Sequence, residues 1–142
     1  EDSSDKDIVK KWQERIYASM ELLLLTGINS RSIAIENLMY PFEWAEEIIS
    51  SLNLSVCIDT GHLILMNAGI KETFDKYHDR TPIMHFHGVK DKLDHLSLDK
   101  LTDNETTNII QILKTYTGIA IIEVFSYDNL QASLKYLEKC WK

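Results

Sequence analysis

Four short runs rich in Ile, Val or Phe, at 32–37, 54–59, 82–87 and 119–125, recur along the chain, and each is followed by a stretch with helical periodicity. An opening amphipathic helix over 8–25 precedes the first run. Val9, Trp12, Ile16, Met20 and Leu23 share one face of it, and Thr26-Gly27 ends it. Pro41 fits the first turn of a second helix, whose Phe42, Ala45, Ile48, Ile49 and Leu52 lie on one side. Positions 70–77 read as a weaker helix. Thr102-x-x-Glu105 is a capping box ahead of Ile109, Ile110, Leu113 and Tyr116, with Gly118 closing that helix. The last helix spaces Leu130, Leu134, Leu137 and Trp141 three to four apart. The order is one helix and then four βα units. It implies a parallel sheet, right-handed crossovers and a site beyond the carboxyl ends of the strands. An open doubly wound sheet and half of a (β/α)8 barrel both fit, because a whole barrel takes about 250 residues and this chain has 142. Without a linker or an internal repeat, 1–142 reads as a single segment.

Residues two apart on a strand share a face. Ala34 and Glu36 then lie on one face of the first run, and Cys57 and Asp59 on one face of the second. Ile83, His85 and His87 line up on the third, and Ile119, Ile121 and Glu123 on the fourth. Every run therefore ends with an ionisable group on one common face. In a barrel that face is the interior, where charged groups at the carboxyl ends read as catalytic. His62 follows at once in Asp59-Thr60-Gly61-His62, and the loop after the third run adds Asp91, Asp94 and His95. Carboxylates and imidazoles converging in this way form a cage for a divalent cation. Unpaired, they would be costly to bury. A single strand-end acid is commonly a helix cap or an ion-pair partner, but four in register are not explained that way. Asp91, Asp94 and His95 also fit a solvated loop with Lys90 and Lys92. His78 reads as a surface group, Cys57 as a filler of the interior and Cys140 as inert. The apolar stretch 63–66 is either packing or a substrate-facing lid.

Asp and Glu number 22 against 15 Lys and Arg, a formal charge of −7, which disfavours a non-specific grip on nucleic-acid backbone. No apolar run reaches the roughly 18 residues a bilayer demands. Gly61, Gly69, Gly88 and Gly118 stand alone, so no glycine-rich phosphate loop is present. Two cysteines make neither a disulfide framework nor a zinc spacing, and a reducing cytoplasm is the expected setting. The opening 1–6 has no signal-peptide character and no initiator Met, so the chain is expected to be a piece of a longer or processed protein.

As a set, Ile35-Glu36-Asn37, Asp59-x-Gly61-His62, His85-x-His87 and Ile122-Glu123-Val124 resemble strands five to eight of the xylose-isomerase-like barrels. That superfamily includes sugar isomerases and epimerases and the family-two apurinic endonucleases. Within it, IENLMYPFEW, CIDTGHLIL and HFHGVKDKLDHLSL are most similar to the cobamide-remodelling phosphodiesterases. The resemblance implies the C-terminal half of a (β/α)8 barrel preceded by one helix. It also implies metal-dependent hydrolysis of the nucleotide-loop phosphodiester of cobamides once the barrel is complete. Glu36, Asp59, His87 and Glu123 are the implied central metal ligands, with either member of the His85-x-His87 pair able to serve. His62, Asp94 and His95 are implied as outer ligands or phosphate contacts. One to three divalent ions, manganese or zinc, are the expected cofactor. Glu36, Glu123 and His62 are the expected catalytic groups, and Asn37, Leu63 and Lys90 the expected substrate contacts. One alternative is a sugar or sugar-phosphate isomerase or epimerase, in which Glu36 and Glu123 move a proton on opposite faces. Another is a metal-stabilised half-domain without catalysis. The expected partners are a small-molecule substrate, corrinoid or sugar, and the N-terminal half of the same barrel or another copy. Membrane and nucleic acid are not expected.

Overall fold

The structure is a computed structural model that describes residues 3–141; Glu1 and Asp2 of the opening polar stretch, and Lys142, lie outside the described residues. In chain order the elements are α1 (Ser3–Leu24), β1 (Ala34–Glu36), α2 (Glu43–Ser51), β2 (Ser55–Asp59), α3 (Thr60–Leu65), α4 (Ile70–Tyr77), β3 (Ile83–Phe86), β4 (Gly88–Lys90), β5 (Leu93–Leu96), α5 (Asp103–Leu113), β6 (Ile119–Ile122) and α6 (Tyr127–Cys140). Gly27 ends α1 region by taking φ +87, a conformation that costs glycine no Cβ clash. The capping box forms at α5: the Thr102 hydroxyl accepts from the Glu105 N–H, and the Glu105 carboxylate accepts from the Thr102 N–H. Both cysteines are free. Among the described residues no helix is long and apolar enough to cross a membrane.

β1, β2, β3 and β6 form one parallel sheet in the order β1-β2-β3-β6. Its core face carries Val56, Ile58, Met84 and Phe86, buried against Ala45, Ile48 and Ile49 of α2 and Ile109 and Ile112 of α5. Burying each such side chain contributes about 1.5–3 kcal/mol. The opposite face carries Cys57, Asp59, Ile83, His85, Ile119 and Ile121, and there Ile119 is 62% and Ile121 38% exposed. A doubly wound sheet reverses its strand order and takes helices on both faces. This sheet does neither, and is half of a (β/α)8 barrel with α1 ahead of it.

The register places the ionisable groups in steps. Glu36 is level with Cys57, Asp59 with His85, and His85 with Ile121, so Glu123 lies two residues further along. That stagger is the shear a closing barrel needs.

Two elements differ from the sequence reading. The region with Asp91, Asp94 and His95 is not a plain loop but the antiparallel hairpin β4–β5, turned by Asp91 and Lys92 at φ 53 and 66. Residues 63–65 are not a lid, since they finish α3 and Leu63 is buried in the core. Only Met66, just past the helix, is substantially exposed.

Candidate metal centre

Asp59 ends β2 and caps α3, which removes its carboxylate from solvent and aims it at the strand-end side of the sheet. Its Oδ1 accepts the His62 N–H at 2.9 Å. Asn37, one residue past β1, clamps it in place: the Asn37 amide donates to the Asp59 carbonyl at 2.9 Å, and the Asp59 N–H donates to Asn37 Oδ1 at 2.7 Å. The side chain of Asn37 thus holds Asp59 in place through both the nitrogen and the oxygen of its amide. Around His85 Nδ1 stand Glu123 Oε2 at 2.8 Å, Glu36 Oε1 at 3.2 Å and Asp59 Oδ2 at 3.9 Å. One ligand atom from each of Glu36, Asp59, His85 and Glu123 lies within 4.8 Å of the others. Where the resemblance implied His87 in this set, the geometry groups His85.

His87 falls one residue beyond β3 and turns elsewhere. With His62 and His95 it makes a second group, three imidazoles whose ligand atoms also lie within 4.8 Å of one another. His87 Nδ1 accepts the His95 N–H at 3.0 Å and lies 3.3 Å from the Gly88 carbonyl, while its Nε2 faces Asp59 Oδ1 at 3.0 Å off the line of a hydrogen bond. His95 aims that N–H by taking φ +52, and its ring is stacked between His87 at 4.3 Å and Phe125 at 4.2 Å. Its Nδ1 lies 3.1 Å from Asp94 and its Nε2 3.9 Å from Glu123. His62 Nδ1 lies 3.6 Å from Asp59 Oδ2 and 3.9 Å from Glu36, which joins the two groups.

Electrostatics follow from this packing. Burial alone would raise the Asp59 pKa, but His87 and the His62 N–H outweigh it and hold the carboxyl below its ordinary range. Burial would lower that of His87, and Asp59 reverses the direction. His95 holds Asp94 low. Burial, then Glu36, Asp59 and Glu123, push the Cys57 thiol up to about 12, so by itself it stays neutral among the carboxylates.

The expected site residues do not all converge. Asp91 sits on the hairpin turn outside both groups, Lys90 is exposed on β4, and Leu63 is buried in the core, where it also lines a cleft beside the cluster. Three contributors were given no role by the sequence reading. Gly61 leaves room for the His87 ring, which a Cβ there would overlap. Tyr40 donates to the Glu36 carbonyl at 2.9 Å. Phe125 stacks on His95, and its position two residues after Glu123 on the same face was the available signal.

The residues fit a divalent cation. Asp59 Oδ2 is fully buried with no hydrogen-bond partner, a state that costs several kcal/mol for a charged oxygen unless a cation meets it. Three carboxylates and one imidazole are an oxygen-dominated donor set suited to a hard or borderline ion.

No protein-family model matches the chain, and no curated protein matches it. Among solved structures, the crystal structure of apo 3-keto-D-glucoside 4-epimerase YcjR from E. coli matches with a TM-score of 0.66. The two share a fold. Identity is 15%, over 93% of this chain and 54% of that one, so the half barrel described here spans about half the length of the enzyme it matches.

Proposed function

We propose that the strand-end cluster is the metal-dependent proton-transfer site of an isomerase or epimerase acting on a polyhydroxylated carbonyl compound, once the barrel is whole. The observation that carries this reading is the unequal exposure of the three carboxylates. Asp59 is sealed in, whereas Glu36 and Glu123 are each about one third exposed and approach His85 from its two sides, Glu36 from β1 across β2 and Glu123 from just past the end of the adjacent β6. A buried carboxylate can only hold a cation; two accessible ones on opposite sides can remove a proton from one face of a substrate carbon and return it on the other. The similarity in fold to a sugar epimerase supports the same reading. Glu36, Asp59, His85 and Glu123 would hold the ion, manganese or zinc. Bound there, it would supply Lewis-acid polarisation of a carbonyl and its neighbouring hydroxyl. Tyr40 fixes the backbone of Glu36, Asn37 fixes Asp59, and the His95–Phe125 stack walls the Glu123 side.

Hydrolysis of a cobamide phosphodiester is the second reading, and one observation favours it: the trio His62, His87 and His95 offers nitrogen ligands for a further ion beside the first. Against it, no lysine or arginine of the described residues pairs with either group.

The deciding experiment supplies metal-loaded complete barrel with a ketohexose panel, a keto-glucoside and a cobamide. Exchange of a substrate C–H with deuterated water, lost in Glu36→Gln and in Glu123→Gln, is the expected result. Release of a nucleoside product from the cobamide without any C–H exchange would overturn it in favour of the hydrolase.

A further inference from the structure

Beside the cluster, a cleft of about 340 Å³ opens between α3, α4 and the segment joining β1 to α2, and the proton transfer proposed above makes no use of it. Leu38, Tyr40, Phe42, Leu63, Met66 and Tyr77 supply its apolar walls. Asn37 and His62 line it too, and both also hydrogen-bond Asp59, so the cleft adjoins the strand-end cluster across a wall these two residues share. A substrate with its polar part on the cluster has this cleft within reach of its remainder.

Three observations fix the chemistry of the occupant. The first is charge. Lys76, the one lysine or arginine of the lining, is already paired with Glu46 of α2, while Glu43 and Glu72 stand on the walls with no cation of the described residues paired to them. Phosphate and carboxylate groups are therefore repelled, and a neutral group is not. Shape is the second: Phe42 packs edge-on to Tyr77 at 5.4 Å and 79°, with Tyr40 tilted against Phe42 at 6.3 Å, giving rigid aromatic walls rather than flexible aliphatic ones. Size is the third. A 150 Å³ apolar cavity holds one benzene, so this cleft seats a substituted ring or a fused pair. Leu38 and Met66 at its mouth are left partly bare, at 46% and 38% exposure, as an apolar entrance would be.

We propose that the cleft binds a neutral, flat, apolar group carried by the substrate, which makes the substrate a substituted glycoside or polyol rather than a free sugar. The inference rests on the reading of the cluster as the site of a polyhydroxylated carbonyl compound. Leu38 and Met66 are its specificity-determining contacts.

The test uses protein labelled at its methionine methyl groups and titrated with two probes, phenyl β-glucoside and methyl β-glucoside, followed by NMR. The phenyl compound is expected to shift the Met66 methyl saturably and to bind at least about tenfold more tightly, the preference expected from burying one ring. Leu38→Lys and Met66→Lys are expected to abolish that preference while the rise in Tm on adding manganese stays unchanged. Leu134→Lys, on the exposed flank of α6, is expected to leave it intact. Equal binding of the two probes overturns the proposal, as does a preference that survives Met66→Lys or is lost in Leu134→Lys. Failure here is separable from failure of the proton-transfer reading. Equal probe binding with C–H exchange still present removes the cleft alone, whereas a persisting phenyl preference with no exchange on any carbonyl substrate removes the chemistry and leaves the cleft.

Discussion

At the scale of single residues, the site depends on groups that are themselves held. Asp59→Asn keeps the shape of the side chain and the His62 cap but removes the charge that a cation opposes. The expected outcome is a folded protein whose metal affinity falls by about tenfold or more, read by titration with elemental analysis; an unchanged affinity would make Asp59 a structural cap. Gly61 acts from behind. With α3 passing directly under the His87 ring, Gly61→Ala forces imidazole and helix apart, and a loss of about 1–3 kcal/mol is expected from overpacking, read by urea denaturation. Much of this was legible in the sequence: period-two alternation put Glu36, Asp59, His85 and Glu123 on one face, and the structure brings their ligand atoms together. What alternation could not do was choose between His85 and His87, which share that face. The choice depends on where β3 stops, since His85 keeps the register of Asp59 whereas His87 follows the turn into β4 and packs over Gly61.

Among the elements, those with strong local signals were legible and those made by tertiary context were not. The α5 capping box needs only Thr102 and Glu105, and Thr102→Ala is expected to cost about 1 kcal/mol, seen as a lower Tm with the fold unchanged in circular dichroism. The hairpin β4–β5 lacks the Asn-Gly or Asp-Gly turn that announces such a motif, because Asp91 and Lys92 adopt positive φ without a glycine. Nothing local marks α3 either: it has six residues, and its start is fixed by the Asp59 cap at the end of a strand. Between α2 and α4, Glu46 accepts hydrogen bonds from Lys76 and Tyr77, which hold its carboxyl below the usual value. A carboxyl lowered in the folded state stabilises it above the unfolded pKa, and that contribution is lost as pH falls through the folded one. Glu46→Gln is therefore expected to flatten the acid limb of stability, by under about 1 kcal/mol for so solvated a pair, in urea midpoints measured from neutral pH down to about pH 3.

For the whole molecule the question is what covers the inner face. Parallel sheets occur with both faces covered, yet here the helices cover only one. The other face leaves Ile119 and Ile121 open, and β1 and β6 each keep one edge unpaired within the sheet. An unpaired strand edge beside bare isoleucines is a template for association. A complementary (β/α)4 half, supplied by the same barrel or by a second copy, would pair both edges and close the lumen over the strand-end cluster. The chain on its own is therefore expected to self-associate at micromolar concentration and to bind a hydrophobic dye, measured by light scattering and fluorescence. Ile119→Lys combined with Ile121→Lys is expected to suppress both without loss of secondary structure, because these side chains contribute little to the helix-covered core. A monomer with no dye binding before any substitution would mean that the inner face is closed by the chain's own rearrangement, and the geometry of the cluster would then have to be redrawn. Association that persists in the double variant would place the contact on the exposed flank of α1 or α6 instead, where Leu22 and Leu134 are bare. Association through the lumen would cover the open face of the sheet and the strand-end cluster with the same partner, because both lie on that face.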